Sequence, residues 1–128
     1  MKKGFKIVLI IVILMIATAA GGIFYLTRGM SELEEMSLNG INPTYFSDGS
    51  YYGSYVSGRW TNTLEVLVEG GRVSQINVFD NVRFVQDGVS DALFERIISS
   101  QDTRVDTVSS ATVTSKAYLK AIENALVQ

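Results

Sequence analysis

The 128-residue chain contains no cysteine and no histidine. Without cysteine there is no disulfide, no thiolate metal site, no cysteine nucleophile and no residue to carry a lipid. Without histidine the commonest general base and the commonest transition-metal ligand are gone. A hydrolase triad or a zinc centre is hard to assemble from what is left. No side chain here carries electrons well, so a redox role requires a borrowed cofactor. Basic clusters are scarce as well. Lys2, Lys3, Lys6 and Arg28 leave seven basic residues against all thirteen acidic ones over 29–128, a net charge of −6 for that part. An acidic body of this kind argues against nucleic acid as a partner. It also argues against the body lying flat on an anionic membrane. No internal repeat or low-complexity tract is visible.

Hydrophobic length is present in one place. Residues 7–26, Ile7 to Leu26, form an uncharged run of 20. A helix of about 20 apolar residues spans the hydrocarbon core of a bilayer. Three lysines precede the run and only Arg28 follows closely, so the positive-inside rule places residues 1–6 in the cytoplasm and the rest outside. Tyr25 falls where an interfacial aromatic belongs. The alternative is a cleaved signal peptide, because Ala17-Thr18-Ala19 matches a small-x-small cleavage pattern. Both readings send the body across the membrane. A retained anchor in contact with the lipid bilayer is the expected state, since the apolar run resumes at Ile23.

Residues 27–47 read as an extracytoplasmic linker, a plain tether from membrane to body. Ser31-Glu32-Leu33-Glu34 has the spacing of a capping box, which predicts a short helix over Glu32–Leu38. Asn39-Gly40 stops it and Pro43 favours extended chain.

The body spans 48–128. The Tyr-, Gly- and Ser-rich stretch from Asp48 to Trp60 suits a strand or two. Leu64, Val66 and Val68 alternate with Glu65 and Glu69, and Gly70-Gly71 makes a two-residue hairpin turn. Pairing Val68 with Val73 puts Ile76 and Val78 on the wrong parity for the core. One extra residue near Ser74-Gln75, a β-bulge, restores them. A helix follows over Asp87–Ser100, with Val89, Leu93, Phe94, Ile97 and Ile98 on one stripe. Val105–Val108 reads as a short strand, and a closing helix runs from Thr114 to Val127 with Tyr118, Leu119, Ile122, Ala125 and Leu126 inward. The expected fold is α+β: a small antiparallel sheet with two packed helices, preceded by a single transmembrane helix.

The chemistry concentrates in Asp106-Thr107-Val108-Ser109-Ser110-Ala111-Thr112, just before the closing helix. Ser109, Ser110, Thr112 and Thr114 gather hydroxyls where a helix start offers free N–H groups, which suits a phosphate. Taken alone, Thr112 suits a plain helix cap better than a ligand site, Ser109, Ser110 and Thr114 suit either role, and Asp106 suits a turn residue.

That run resembles the motif Asp-x-x-[Ser/Thr]-[Gly/Ser]-Ala-Thr of the FMN-binding domain family. Asp48-Gly49-Ser50-Tyr51-Tyr52-Gly53 and the hairpin from Leu64 to Val73 are similar to two earlier segments of the same family, so the resemblance covers about Asp48 to Leu126. Ser110 stands where Gly is commoner, and Asn81–Gln86 has no clear match. The resemblance implies FMN as cofactor, bound covalently through a phosphoester to Thr112. It implies a separate flavin transferase that uses FAD, with Asp106 as a recognition residue. Ser109, Ser110 and Thr114 then bond the phosphate, and small Ala111 lets the backbone come close. Trp60, Tyr52, Tyr55 and Phe84 are candidates for the flavin ring's apolar support. No metal site and no catalytic side chain is expected. The function so implied is an extracytoplasmic electron carrier working with a membrane redox partner, a quinol or a dehydrogenase. The alternatives are a non-redox binding module and a flavin-dependent reductase of a small exported acceptor.

Overall fold

Apolar sequence rich in Ile and Val runs as one exposed helix, α1 (Lys2–Thr27), in the computed structural model, which describes residues 2–126. Its Thr18 and Thr27 hydroxyls donate to the Leu14 and Ile23 carbonyls, each at 2.8 Å. These bonds satisfy both hydroxyls within the helix. The helix is long and apolar enough to cross a membrane, a property it shares with signal sequences.

The chain then breaks at Gly29, whose φ of 82° is left-handed. Helix α2 (Met30–Glu35) starts there, earlier than the predicted Glu32–Leu38, and stops before Met36. Gly29 occupies the N-cap position and no side chain caps the helix, so the expected Ser31–Glu34 box does not form. Nor is residues 27–47 a plain tether. Leu33 and Pro43 are buried, and Met36, Leu38, Ile41 and Phe46 pack on the core. The Gly40 amide donates to Glu123 Oε1 at 3.0 Å and the Ile41 amide to Asp102 Oδ1 at 3.4 Å. These bonds tie the segment to groups more than sixty residues away, which no local pattern announces.

Three antiparallel strands follow in spatial order β1 (Gly49–Tyr55), β2 (Asn62–Glu69) and β3 (Arg72–Asp80). Alternation in β2 buries Asn62, Leu64, Val66 and Val68 on one face. Each of those aliphatic side chains contributes roughly 1.5–3 kcal/mol by leaving water. Gly70 and Gly71 turn the hairpin with φ of 60° and 72°, the paired positive values that match strand twist. The anticipated bulge is present: Val68 pairs with Val73 and Leu67 with Gln75, so Ser74 is the extra residue. Ile76 is thereby buried and Val78 half-buried against the core. A second irregularity skips Phe79, between the pairs Leu64–Val78 and Thr63–Asp80.

Two helices cover the sheet, α3 (Val89–Ser100) and α4 (Thr112–Ala125). The stripe expected of α3 holds, with Val89, Leu93, Phe94 and Ile97 buried. Helix α4 begins two residues earlier than Thr114, and the predicted end at Val127 lies outside the described residues. All five side chains expected to face inward from it are buried, together with Ala117 and Ala121. Ala117, Ala121 and Ala125 recur every four residues and let α4 approach β1 at Gly53. A Cβ on Gly53 would stand 2.1 Å from the Ala121 carbonyl oxygen.

Val105–Val108 forms no strand. Its polar groups are taken by side chains instead: Arg96 Nη1 donates to the Asp106 carbonyl at 2.8 Å, and the Val108 amide donates to Ser115 Oγ at 3.2 Å. The place beside β3 is taken by Gln101. Its Oε1 accepts from the Val73 amide at 2.7 Å, and its Nε2 donates to the Val73 carbonyl at 3.1 Å.

Candidate functional site

The site is built where the loop from Asp106 meets α4. The Ala111 amide donates to the Val108 carbonyl at 3.0 Å, closing a tight turn. Ser110 sits inside that turn with φ of 66°, a left-handed conformation that costs an L-residue roughly 1–2 kcal/mol. Glycine adopts it freely, which accounts for glycine being common at this place in the motif. Ala111 is the N-cap of α4 and offers no capping oxygen. The amides of Thr112, Val113 and Thr114 therefore find no acceptor among the described residues. A helix start in this state presents free donors and the positive end of the helix dipole.

The hydroxyl-bearing residues divide at this turn. Thr112 is exposed and Thr114 buried, and both line an open cleft of about 400 Å3 together with Ser110, Ala111, Trp60 and Phe84. Ser109 is exposed but is not among the residues lining that cleft. Asp106 is exposed too and borders a different concavity, beside Arg96 and Glu95. Asp106 and Ser109 thus stand outside the cleft that holds Thr112. Roomier concavities exist elsewhere, such as the groove of about 470 Å3 between residues 39–46 and Arg104. They lack the combination of a free helix start, a cation and aromatic rings.

Of the four aromatic candidates, two belong here. Trp60 is buried at the cleft and Phe84 is exposed on it. Tyr52 and Tyr55 are not in its lining. On β1, Tyr52 points to the sheet face opposite Gly53 and stacks on Phe79 with ring centroids 5.8 Å apart. A bond to Glu65 and that carboxylate's charge hold the Tyr52 hydroxyl above the ordinary phenol range. Tyr55 is half-buried, and burial pushes its hydroxyl up in the same direction.

Sequence reasoning missed Arg59. Its guanidinium lies 4.2 Å from the Trp60 ring centroid and 5.5 Å from that of Phe84, within cation–π range. Nε donates to the Leu26 carbonyl at 2.8 Å, and no carboxylate pairs with Arg59 among the described residues. A lone arginine next to a tryptophan in a loop was the only signal available. Asn81–Gln86, for which sequence reasoning found no clear counterpart, supplies the opposite rim. The Arg83 amide donates to the Arg59 carbonyl at 2.8 Å, which brings Phe84 over the cleft. Asn81 Oδ1 accepts from the Val82 amide at 2.8 Å and from the Tyr118 hydroxyl. Asn62 holds the floor: its Nδ2 donates to the Trp60 carbonyl at 3.1 Å and to the Ala117 carbonyl at 3.3 Å. Its Oδ1 is buried without a partner among the described residues.

Free backbone donors, an unpaired guanidinium, an exposed hydroxyl and two aromatic rings in one cleft suit an anionic ligand with a flat apolar part. The family model of the FMN-binding domain matches residues 57–127, from just after β1 through the end of α4. The chain belongs to the FMN-binding domain family. It is also 32% identical over 93 residues to an uncharacterized protein of Treponema pallidum (strain Nichols). That alignment takes in 68% of this chain and 25% of the relative, so the chain spans about a quarter of the length of the curated protein it matches.

Proposed function

We propose that this flavoprotein is an electron carrier anchored in the cell membrane by α1, with its body on the extracytoplasmic side and FMN esterified to Thr112. One observation carries the reading. The Thr112 hydroxyl is exposed on the first turn of an uncapped helix, in the same cleft as Arg59, Trp60 and Phe84. A flavin transferase moves the FMN moiety of FAD onto Thr112 Oγ1. The phosphoanhydride bond to AMP breaks, the threonine–phosphate bond forms, and the hydroxyl proton is released. Asp106 and Ser109, outside the cleft, remain free for the transferase to recognise. The free amides of Thr112, Val113 and Thr114 neutralise the phosphodiester, together worth about 0.3–1 kcal/mol or more with partial burial. Ser110 and Thr114 add hydroxyl donors, and Ala111 keeps the backbone accessible. Trp60 and Phe84 offer the flat apolar surface, and Arg59 the nearby positive charge. When bound, FMN supplies one- and two-electron chemistry, which links a quinol or a membrane dehydrogenase to single-electron acceptors.

The test is co-expression of the full chain with a flavin transferase, followed by denaturing electrophoresis and intact mass. The expected result is a fluorescent band with the mass of one added FMN, absent in Thr112→Ala. A dark wild-type band beside an active transferase, or a Thr112→Ala band that still fluoresces, refutes the assignment.

A further inference from the structure

The end of α1 and the wall of the cleft are one packed unit. Arg59 connects them, with Nε on the Leu26 carbonyl and its guanidinium against Trp60 and Phe84. Gly29 fits against Ser57, where a Cβ would stand 2.2 Å from the Ser57 Oγ. At Gly58 a Cβ would stand 3.4 Å from the Arg28 carbonyl oxygen. Leu26 is also the last residue of the uncharged apolar run. In a bilayer such a run ends where hydrocarbon gives way to a headgroup layer roughly 5–8 Å thick. The Leu26 carbonyl then lies in that layer, and Arg59 and Trp60 lie beside it.

The same end of the body exposes apolar side chains. Val56 is 78% exposed, Phe84 50% and Val85 52%. Phe84 reaches the Arg59 guanidinium, and Val56 precedes the Ser57 that packs on Gly29. Two further cations flank them, Arg28 at the helix exit and Arg83 beside Phe84. Aromatic and aliphatic groups mixed with arginines match the headgroup layer, where rings sit at the boundary and guanidiniums reach phosphates.

We propose that the cleft rim of Val56, Phe84 and Val85, with Arg28 and Arg83, rests in the phospholipid headgroup layer, so that the cofactor cleft opens at the membrane surface. Glu34 also lines the cleft, so the contact is confined to the apolar and arginine-bearing part of the rim. The proposal rests on α1 being a retained span. It narrows the redox partner to one that presents its reacting group at the bilayer surface.

Trp60 is the only tryptophan in the chain, so its fluorescence reports on the cleft alone. The full chain, made without transferase, is placed in nanodiscs of phosphatidylcholine and phosphatidylglycerol carrying spin-labelled lipid. A label at headgroup level is expected to quench Trp60 several-fold more strongly than one at the acyl-chain end. A flexible Gly-Ser insertion between Arg28 and Gly29, combined with Phe84→Ser and Val85→Ser, is expected to abolish most of that difference, with far-ultraviolet circular dichroism unchanged. Equal or absent quenching by the two labels, with α1 intact by mass and the chain held in the disc, overturns the rim contact alone. A mass showing cleavage after Ala19 overturns the anchor and the rim together.

Discussion

Replacing Gly53 by alanine perturbs the contact on which the site's position depends. The added methyl would lie 2.1 Å from the Ala121 carbonyl oxygen, 2.4 Å from the Ala125 amide nitrogen and 2.7 Å from the Ala125 Cβ. Ordinary contact begins at 3.4 Å, so the shortest of these is about 1.3 Å too close. Two of the three opposing atoms are backbone, and no side chain can swing aside. Helix α4 must retreat from β1 by about an ångström over its C-terminal half. Overpacking a core by a methylene commonly costs about 1–3 kcal/mol, and a clash with backbone belongs at or above the top of that range. At about 3 kcal/mol, a body of this size loses roughly 12–24 °C in Tm. The assay is thermal unfolding of the full chain in detergent, followed by near-ultraviolet circular dichroism and Trp60 emission. Because α4 carries Thr112 on its first turn, the flavin-labelled fraction is expected to fall below the wild-type value at temperatures where the variant is still folded. A Tm within about 4 °C of wild type would falsify the close-approach argument.

Other consequences are open to measurement. Ser110→Gly relieves the left-handed strain but loosens the unfolded chain. A net gain of about 0.5–1 kcal/mol in chemical denaturation is expected, with labelling retained; a loss of stability contradicts the strain. Asn62→Ala removes both bonds that hold the Trp60 and Ala117 carbonyls, and a loss of about 1–3 kcal/mol with a shifted Trp60 emission is expected. Asp102 gives a pH signature. Partial burial pushes its carboxyl up, but bonds from the Arg104 side chain, the Arg104 amide and the Ile41 amide outweigh that, so it titrates below the ordinary carboxylate range. Its contribution is present above the unfolded value near pH ~3.9 and is lost as pH falls through the folded value. Asp102→Asn is therefore expected to lose stability near neutral pH, about 0.2–1 kcal/mol for a pair this open to solvent. The difference from wild type shrinks in acid, and a constant difference down to acid pH counts against the linkage.

Much of the architecture is legible because period and parity are local properties. The bulge at Ser74 follows from the misplaced parity of Ile76 and Val78 across a two-glycine turn. The stripes of α3 and α4 follow from apolar spacing. Failures arise where backbone conformation or distant partners decide. Gly29 adopts a left-handed conformation and starts α2 early, which defeats a capping box that is correct by spacing. Residues 36–46 show no apolar period, yet they are held by Glu123 and Asp102, whose carboxylates arrive from the far end of the chain. Val105–Val108 has strand composition, but on the β3 edge Gln101 already bonds the Val73 amide and carbonyl. At the site, the turn-and-helix run holding Ser110, Ala111, Thr112 and Thr114 was readable as a unit. The separation of Asp106 and Ser109 from the cleft was not, because a turn places neighbours in sequence on opposite sides. Arg59 was unreadable for a similar reason: its role depends on meeting Leu26, Trp60 and Phe84 in space.

The Gln101 side chain has a consequence for how copies of this protein coexist. Strand β3 is the outer strand beyond the hairpin, and an unbroken border would accept a strand from a neighbouring molecule. Gln101 occupies both hydrogen-bonding groups of Val73, and the ladder beyond is interrupted at Ser74 and again at Phe79. Along β3 the unbroken stretch is only Gln75 to Val78. Growth of the sheet past β3 by a strand from another copy is therefore disfavoured.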